Sequence, residues 1–285
     1  MSGRTVRLAA IGAMMAGTLV AQNRKEYRFS VGAKAGVSVN NPYGSISVKP
    51  SSGGVVVVNA LMYSDKVEVD NSQSGNHVDV ISHLFAGADS DSGRVDYEIL
   101  VPPDASVSLR SMTGPMRAER LHGDMTLEGT AALVDVHDVS DAHIHVKTLN
   151  GPVTLTNVLQ GHVEVDSLSG AITLNRVSGP RVQVISTSGG ISYTGDFGDG
   201  GEYLLTSHSG DIEATVPEYT SADVTARSVK GEVRDDIPLQ PKQHTSFIVK
   251  EGSAFVGTMG SAAVSSTVVL RSFSGKIHLR KRAAK

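Results

Sequence analysis

The chain is predicted to be all-β, a parallel β-solenoid with two short strands per coil of 18–21 residues and additional capping strands at both ends. Three observations point there. Apolar and polar residues alternate at period two over short runs, the pattern of half-buried strands. One sentence recurs, as Ser167-Leu-Ser-Gly-Ala-Ile172, Ser186-Thr-Ser-Gly-Gly-Ile191 and Ser207-His-Ser-Gly-Asp-Ile212, with a fainter copy at 148–153 and a late one at 272–277. No stretch of about 12 residues carries the apolar stripe that a helix needs.

Composition agrees and narrows the class. With 30 Gly, 5% aromatic residues and no Trp in 285 residues, the chain is suited to tight turns and thin aliphatic layers. It has no Cys, which excludes disulfides, thiolate metal ligands and Cys nucleophiles. A formal charge of −3 gives no nucleic-acid footprint.

Residues 1–21 read as an export signal. Arg4 and Arg7 precede an apolar run from Leu8 to Val20, and Leu19-Val20-Ala21 is a plausible cleavage site. That run is short of the roughly 20 residues a membrane span requires, so the mature chain is expected to lack a transmembrane span. Residues 22–106 are expected to form an N-terminal β cap and a first coil, 107–233 the regular solenoid, and 234–285 a C-terminal coil and cap. Within the first of these, Tyr27–Val48, Val55–Tyr63, Lys66–Asp70, His77–Ile81 and Val95–Val101 read as strands, with a polar loop from Phe85 to Gly93.

From Val107 the register locks. One inward column is Val107, Met125, Ile144, Val163, Val182, Tyr203 and Val224. Its partner column, always nine residues on, is Met116, Val134, Val153, Ile172, Ile191, Ile212 and Val233. The return path lengthens from 9 to 12 residues, so every insertion falls on one edge. Gly114, Gly151, Gly170, Gly189, Gly210 and Gly231 stand two places before the partner column, with Ala132 as the exception. A stacked glycine is expected to mark a repeated turn with φ > 0, which Gly takes without steric cost. Val37/Ile46 and Val268/Ile277 repeat the nine-residue unit near each end.

Stacking places outward side chains in columns. His143 and His162 become neighbours, with Asp124 beside them, and His145 falls beside Glu164. Imidazole and carboxylate suit a divalent metal, but a solvated polar face is the preferred reading. No catalytic, cofactor or metal residue is therefore assigned; His143, His162 and Asp124 are the lesser metal candidates. Arg117, Asp135 and His137 share an outward face, as in polysaccharide-cleaving β-helices, although analogy of fold does not establish function. On the widened edge, Asp196, Phe197, Asp199, Glu202, Glu218 and Tyr219 are the candidate partner-binding residues, since insertions on one face gather binding loops.

The segments Val101-Pro-Pro-Asp-Ala-Ser-Val-Ser-Leu-Arg110 and Leu121-His-Gly-Asp-Met-Thr-Leu127, followed by the Ser-x-Ser-Gly-x-Ile units, resemble the bacterial DUF4097 family, whose members are provisionally called adhesins. The resemblance covers about residues 37–282. It implies an envelope-associated β-solenoid without established catalytic residues, so no functional residue is carried over. The expectation is a non-enzymatic protein that is periplasmic, on the outer surface or secreted, presenting a rigid surface to an envelope polysaccharide, protein or peptide. A polysaccharide-binding or polysaccharide-cleaving β-helix, or an envelope-stress sensor module, is the alternative.

Overall fold

Period-two alternation becomes alternating burial along nearly every strand. Val153, Leu155 and Val158 point inward from one strand, and Val163, Val165 and Ser167 from the next. The computed structural model describes residues 23–198, 200–237, 240–241, 253–260 and 265–282, so the expected export signal lies outside the described residues. Among the described residues the strands form two sheets, of twelve and thirteen strands. Twelve less two antiparallel strands, and thirteen less three, leave ten parallel strands in each.

The two inward columns stack in register, as in Ile144↔Val163↔Val182 on one sheet and Val153↔Ile172↔Ile191 on the other. Every one of those six residues is at most 2% exposed. Full burial of each such side chain contributes about 1.5–3 kcal/mol. At about 4.8 Å per strand, ten coils make a rod of about 43 Å between its end layers.

The stacking order departs from chain order at both ends. The Val268/Ile277 coil was expected at the C-terminal end, but it lies one layer inside. Its strand Ser266–Ser272 pairs with Glu202–Ser207 on one side and Ala222–Ser228 on the other. Ile277 likewise stands between Ile212 and Val233. The N-terminal end mirrors this. Val37 lies between Val78 and Val107, and Ile46 between Tyr97 and Met116. Residues 49–106 thus supply the outermost N-terminal coil, besides antiparallel strands that close it.

Those closing strands blunt the edges. Asn23–Ser30 pairs antiparallel with Val55–Met62 and carries Arg24, Lys25, Glu26 and Arg28 at the margin of its sheet. At the other end Ser253–Met259 crosses Ala222–Ser228 antiparallel, and Gln240–Pro241 follows it. Charge and proline at an edge oppose pairing with further strands.

The glycine edge is built differently from the expectation. Among the stacked glycines only Gly44 has positive φ, at 99°. The others are required by close approach: a Cβ on Gly170 would stand 2.0 Å from the Gly151 carbonyl oxygen, and one on Gly210 2.2 Å from that of Gly189. In the turns of Ser111, Thr148, Ser167, Ser207, Ser228 and Ser272 a hydroxyl bonds the turn glycine and closes the loop. The Gly210 and Gly275 amides donate to Ser207 Oγ and Ser272 Oγ, both at 2.9 Å. Ala132 sits in a coil that has Gly129 where its neighbours have Ser111 and Thr148; a Cβ there would stand 3.1 Å from the Ala132 methyl.

Left-handed backbone occurs instead on the edge that lengthens. Arg120, Asp138, Asn157 and Arg176 follow paired residues of successive coils, with φ between 53° and 57°. Asn157 Nδ2 donates to Asp138 Oδ1 at 2.7 Å, binding one such residue to the next. Bonds from Asn157, then His137, hold the Asp138 carboxyl below its usual pKa. Gly195 takes the next place in this column, where the edge begins to widen.

Candidate functional site

The second residue of each Ser-x-Ser-Gly turn faces solvent. Met112, Leu149, Leu168, Phe273 and Val229 occupy that place in their coils and are 39–49% exposed. Thr130, Thr187 and His208 fill the coils between them. Turn amides bond to the preceding coil, as in Leu168 N to Thr148 O at 3.2 Å and Ser169 N to Leu149 O at 2.8 Å. The ridge is therefore fixed by main chain. Near its C-terminal end His208 stacks on Phe273 with centroids 4.9 Å apart, and Lys230 Nζ lies 4.8 Å from the centre of the same ring.

The widened edge is more closed than its polar sequence implies. Phe197, expected to meet a partner, is fully buried. It stacks on Tyr193 at 4.7 Å and meets Tyr203 edge-on at 4.9 Å. The longer loop folds its aromatic side chain back over the last regular layers, because that contact removes a large apolar surface from water. Tyr193 Oη donates to the Asp196 carbonyl at 2.6 Å. Burial raises the pKa of Tyr193 strongly and pushes that of Tyr203 up to about 12. Ser266, from the intercalated coil, pins the loop through Oγ to Gly198 O at 2.6 Å.

The other candidates of this edge separate. Asp196 Oδ1 accepts from Thr220 Oγ1 at 3.0 Å. Glu202 is exposed, Glu218 pairs with Lys281 Nζ at 2.6 Å, and Tyr219 is 76% exposed. Asp199 lies outside the described residues.

The outward face of the thirteen-stranded sheet brings His143 and His162 into a stack, rings 4.7 Å apart and 30° from parallel. Glu164 stands between two imidazoles, with Oε1 3.5 Å from His162 Nε2 and Oε2 3.4 Å from His145 Nδ1. Asp124 turns elsewhere: its Oδ1 accepts the His143 amide at 3.2 Å. The carboxylate of this cluster is Glu164, a residue that the in-register pairing had already placed beside His145. On the opposite sheet Arg117 pairs with Asp135 at 3.6 Å, and His137 lies 3.2 Å from Glu119 and 3.1 Å from Asp138. The Arg117–Asp135 and His137–Glu119 pairs join neighbouring coils, and His137–Asp138 lies within one strand.

Two facing parallel sheets, ten coils deep and joined by one constant and one variable edge, define a two-sided parallel β-solenoid. Residues 11–280 match the family described as Toastrack DUF4097, and the chain belongs to that family. No curated protein matches it. Among solved structures it is similar to a Bacteroides fragilis protein provisionally called an adhesin, at 12% identity and TM-score 0.47, covering 91% of this chain and 98% of that one. A Parabacteroides distasonis protein with the same provisional description shows 11% identity and TM-score 0.41, with coverage of 92% and 98%. A Clostridium sporogenes protein provisionally described in cell adhesion shows 13% identity and TM-score 0.30, with coverage of 91% and 100%.

Proposed function

We propose that this protein is a non-enzymatic, exported β-solenoid that presents a rigid contact surface to a component of the cell envelope. The observation that carries this reading is the turn ridge. Five large apolar side chains stand half-exposed along one edge, each held by main-chain bonds to the next coil. Thr130, Thr187 and His208 interrupt the row, but apolar side chains gathered along one exposed edge mark interaction surfaces more often than scattered ones do. Their rigidity lowers the ordering cost of binding. Tyr219, with Glu202 and Glu218 on the widened edge, offers a second, smaller contact region. Residues 1–21 supply the route out of the cytoplasm.

The test has two parts. Full-length chain produced in a bacterial host is fractionated, and the purified chain is sedimented with isolated envelope fractions and purified envelope polysaccharide. The expected result is recovery outside the cytoplasm, and co-sedimentation that Leu149→Glu/Leu168→Glu reduces about tenfold, as for loss of an apolar anchor. Retention of the precursor in the cytoplasm, or binding indifferent to the ridge substitutions, overturns the proposal.

A further inference from the structure

We propose that His143, His162 and Glu164 form a binding site for a first-row divalent transition cation, with Zn2+ as the representative ion. Parallel in-register stacking creates the site. Residues paired across coils lie one strand spacing apart, and residues two apart on a strand share a face. His143 and His145 on one strand therefore form a square with His162 and Glu164 on the next. One donor atom from each of His143, His162 and Glu164 lies within 4.8 Å of the other two. Donors on a tetrahedral zinc, with bonds of about 2.0 Å, stand about 3.3 Å apart. Side-chain rotation at the exposed His143 and the half-buried His162 and Glu164 would close that difference.

Three further observations favour a cation here. His162 Nε2 is buried and has no hydrogen-bond partner, and its contact with Glu164 Oε1 at 3.5 Å is too long to be one. A buried ring nitrogen left unpaired is costly, and coordination satisfies it. The second oxygen of Glu164 faces His145 Nδ1 at 3.4 Å, so His145 can orient the ligating carboxylate from behind. Arg181, paired with His162 on the next coil, turns its guanidinium to Gln183 at 2.7 Å. Two imidazoles and one carboxylate, open to solvent on one side, form a donor set that zinc uses with water as a fourth ligand.

Metal-free full-length chain is titrated with ZnCl2 by calorimetry, and with CoCl2 while visible absorption is followed. The expected result is one saturable site per chain, with Co2+ bands typical of nitrogen and oxygen ligands in a low-coordinate geometry. His162→Ala and Glu164→Gln each weaken Zn2+ binding at least about tenfold, and His145→Gln by about tenfold through orientation. His137→Ala leaves it unchanged. All four side chains face outward, so unchanged melting curves confirm that the variants remain folded. Absence of saturable Zn2+ binding, or a site that survives His162→Ala/Glu164→Gln, overturns the proposal.

Discussion

A methyl group on Gly170 would approach the Gly151 carbonyl oxygen to 2.0 Å, so the two coils would have to part. Gly170→Ala is expected to cost about 1–3 kcal/mol, the range for overpacking a tight site, and to lower the melting temperature by several degrees. Circular dichroism melts of the Gly170→Ala variant and the unsubstituted chain check this. The buried tyrosines set a different limit. Tyr97, Tyr193 and Tyr203 all have pKa values raised chiefly by burial. A raised value in the folded chain favours the phenol there. Their contribution is thus complete below the ordinary value of 10.0 and is lost as pH rises toward the folded values, about 12 for Tyr203. Denaturation midpoints should hold up to about pH 10 and fall beyond it. Phenolate absorbance should show these three residues ionising only as the fold opens.

At the scale of the element, regularity decides what the sequence makes legible. A strand whose inward residues recur every second place, nine residues from its partner, leaves little choice of register. The pairs Met125↔Ile144 and Val134↔Val153 were readable for that reason. Glycine in every turn but that of Ala132 was equally visible, but its cause was not. Close approach to a neighbouring carbonyl is a contact between coils, whereas positive φ is a property of one residue, and composition cannot separate them. The widened loop was misread at Phe197 because Asp, Gly and Glu around it suggest solvent. Its extra length lets the ring turn back onto Tyr193, a choice made by tertiary packing. The His143–His162 neighbourhood followed directly from the repeat, while the outcome at Asp124 depended on which backbone amide its carboxylate reached.

At the scale of the molecule, coils with equivalent inward faces can stack in more than one order. The sequence identifies Val268/Ile277 as a coil without saying which coils flank it. Its position yields a sharp prediction. Deleting residues 261–285 removes an interior layer with Val268, Leu270, Ile277 and Leu279, all at most 2% exposed. Those four side chains contribute about 6–12 kcal/mol, comparable to the whole net stability of an ordinary domain. Hydrogen exchange in the truncated chain should show loss of protection in Glu202–Val216 and in Ala222–Ser228. Deleting Asn23–Ser30, an edge strand, should leave that protection intact. Equal effects of the two deletions would contradict the intercalated order.

That order also makes closure of the rod wait for a segment encoded after both of its spatial neighbours. Ser266–Ser272 and Ile277–Lys281 are encoded after the layers on both sides of them. While the chain is still being synthesised, the strands that precede and follow this coil in space have only water or each other to face. A nascent or truncated molecule is consequently open in its interior and not merely ragged at its tip. Synthesis of residues 266–281 is what closes it, so a chain cut short before them carries a structural mark of the missing layer.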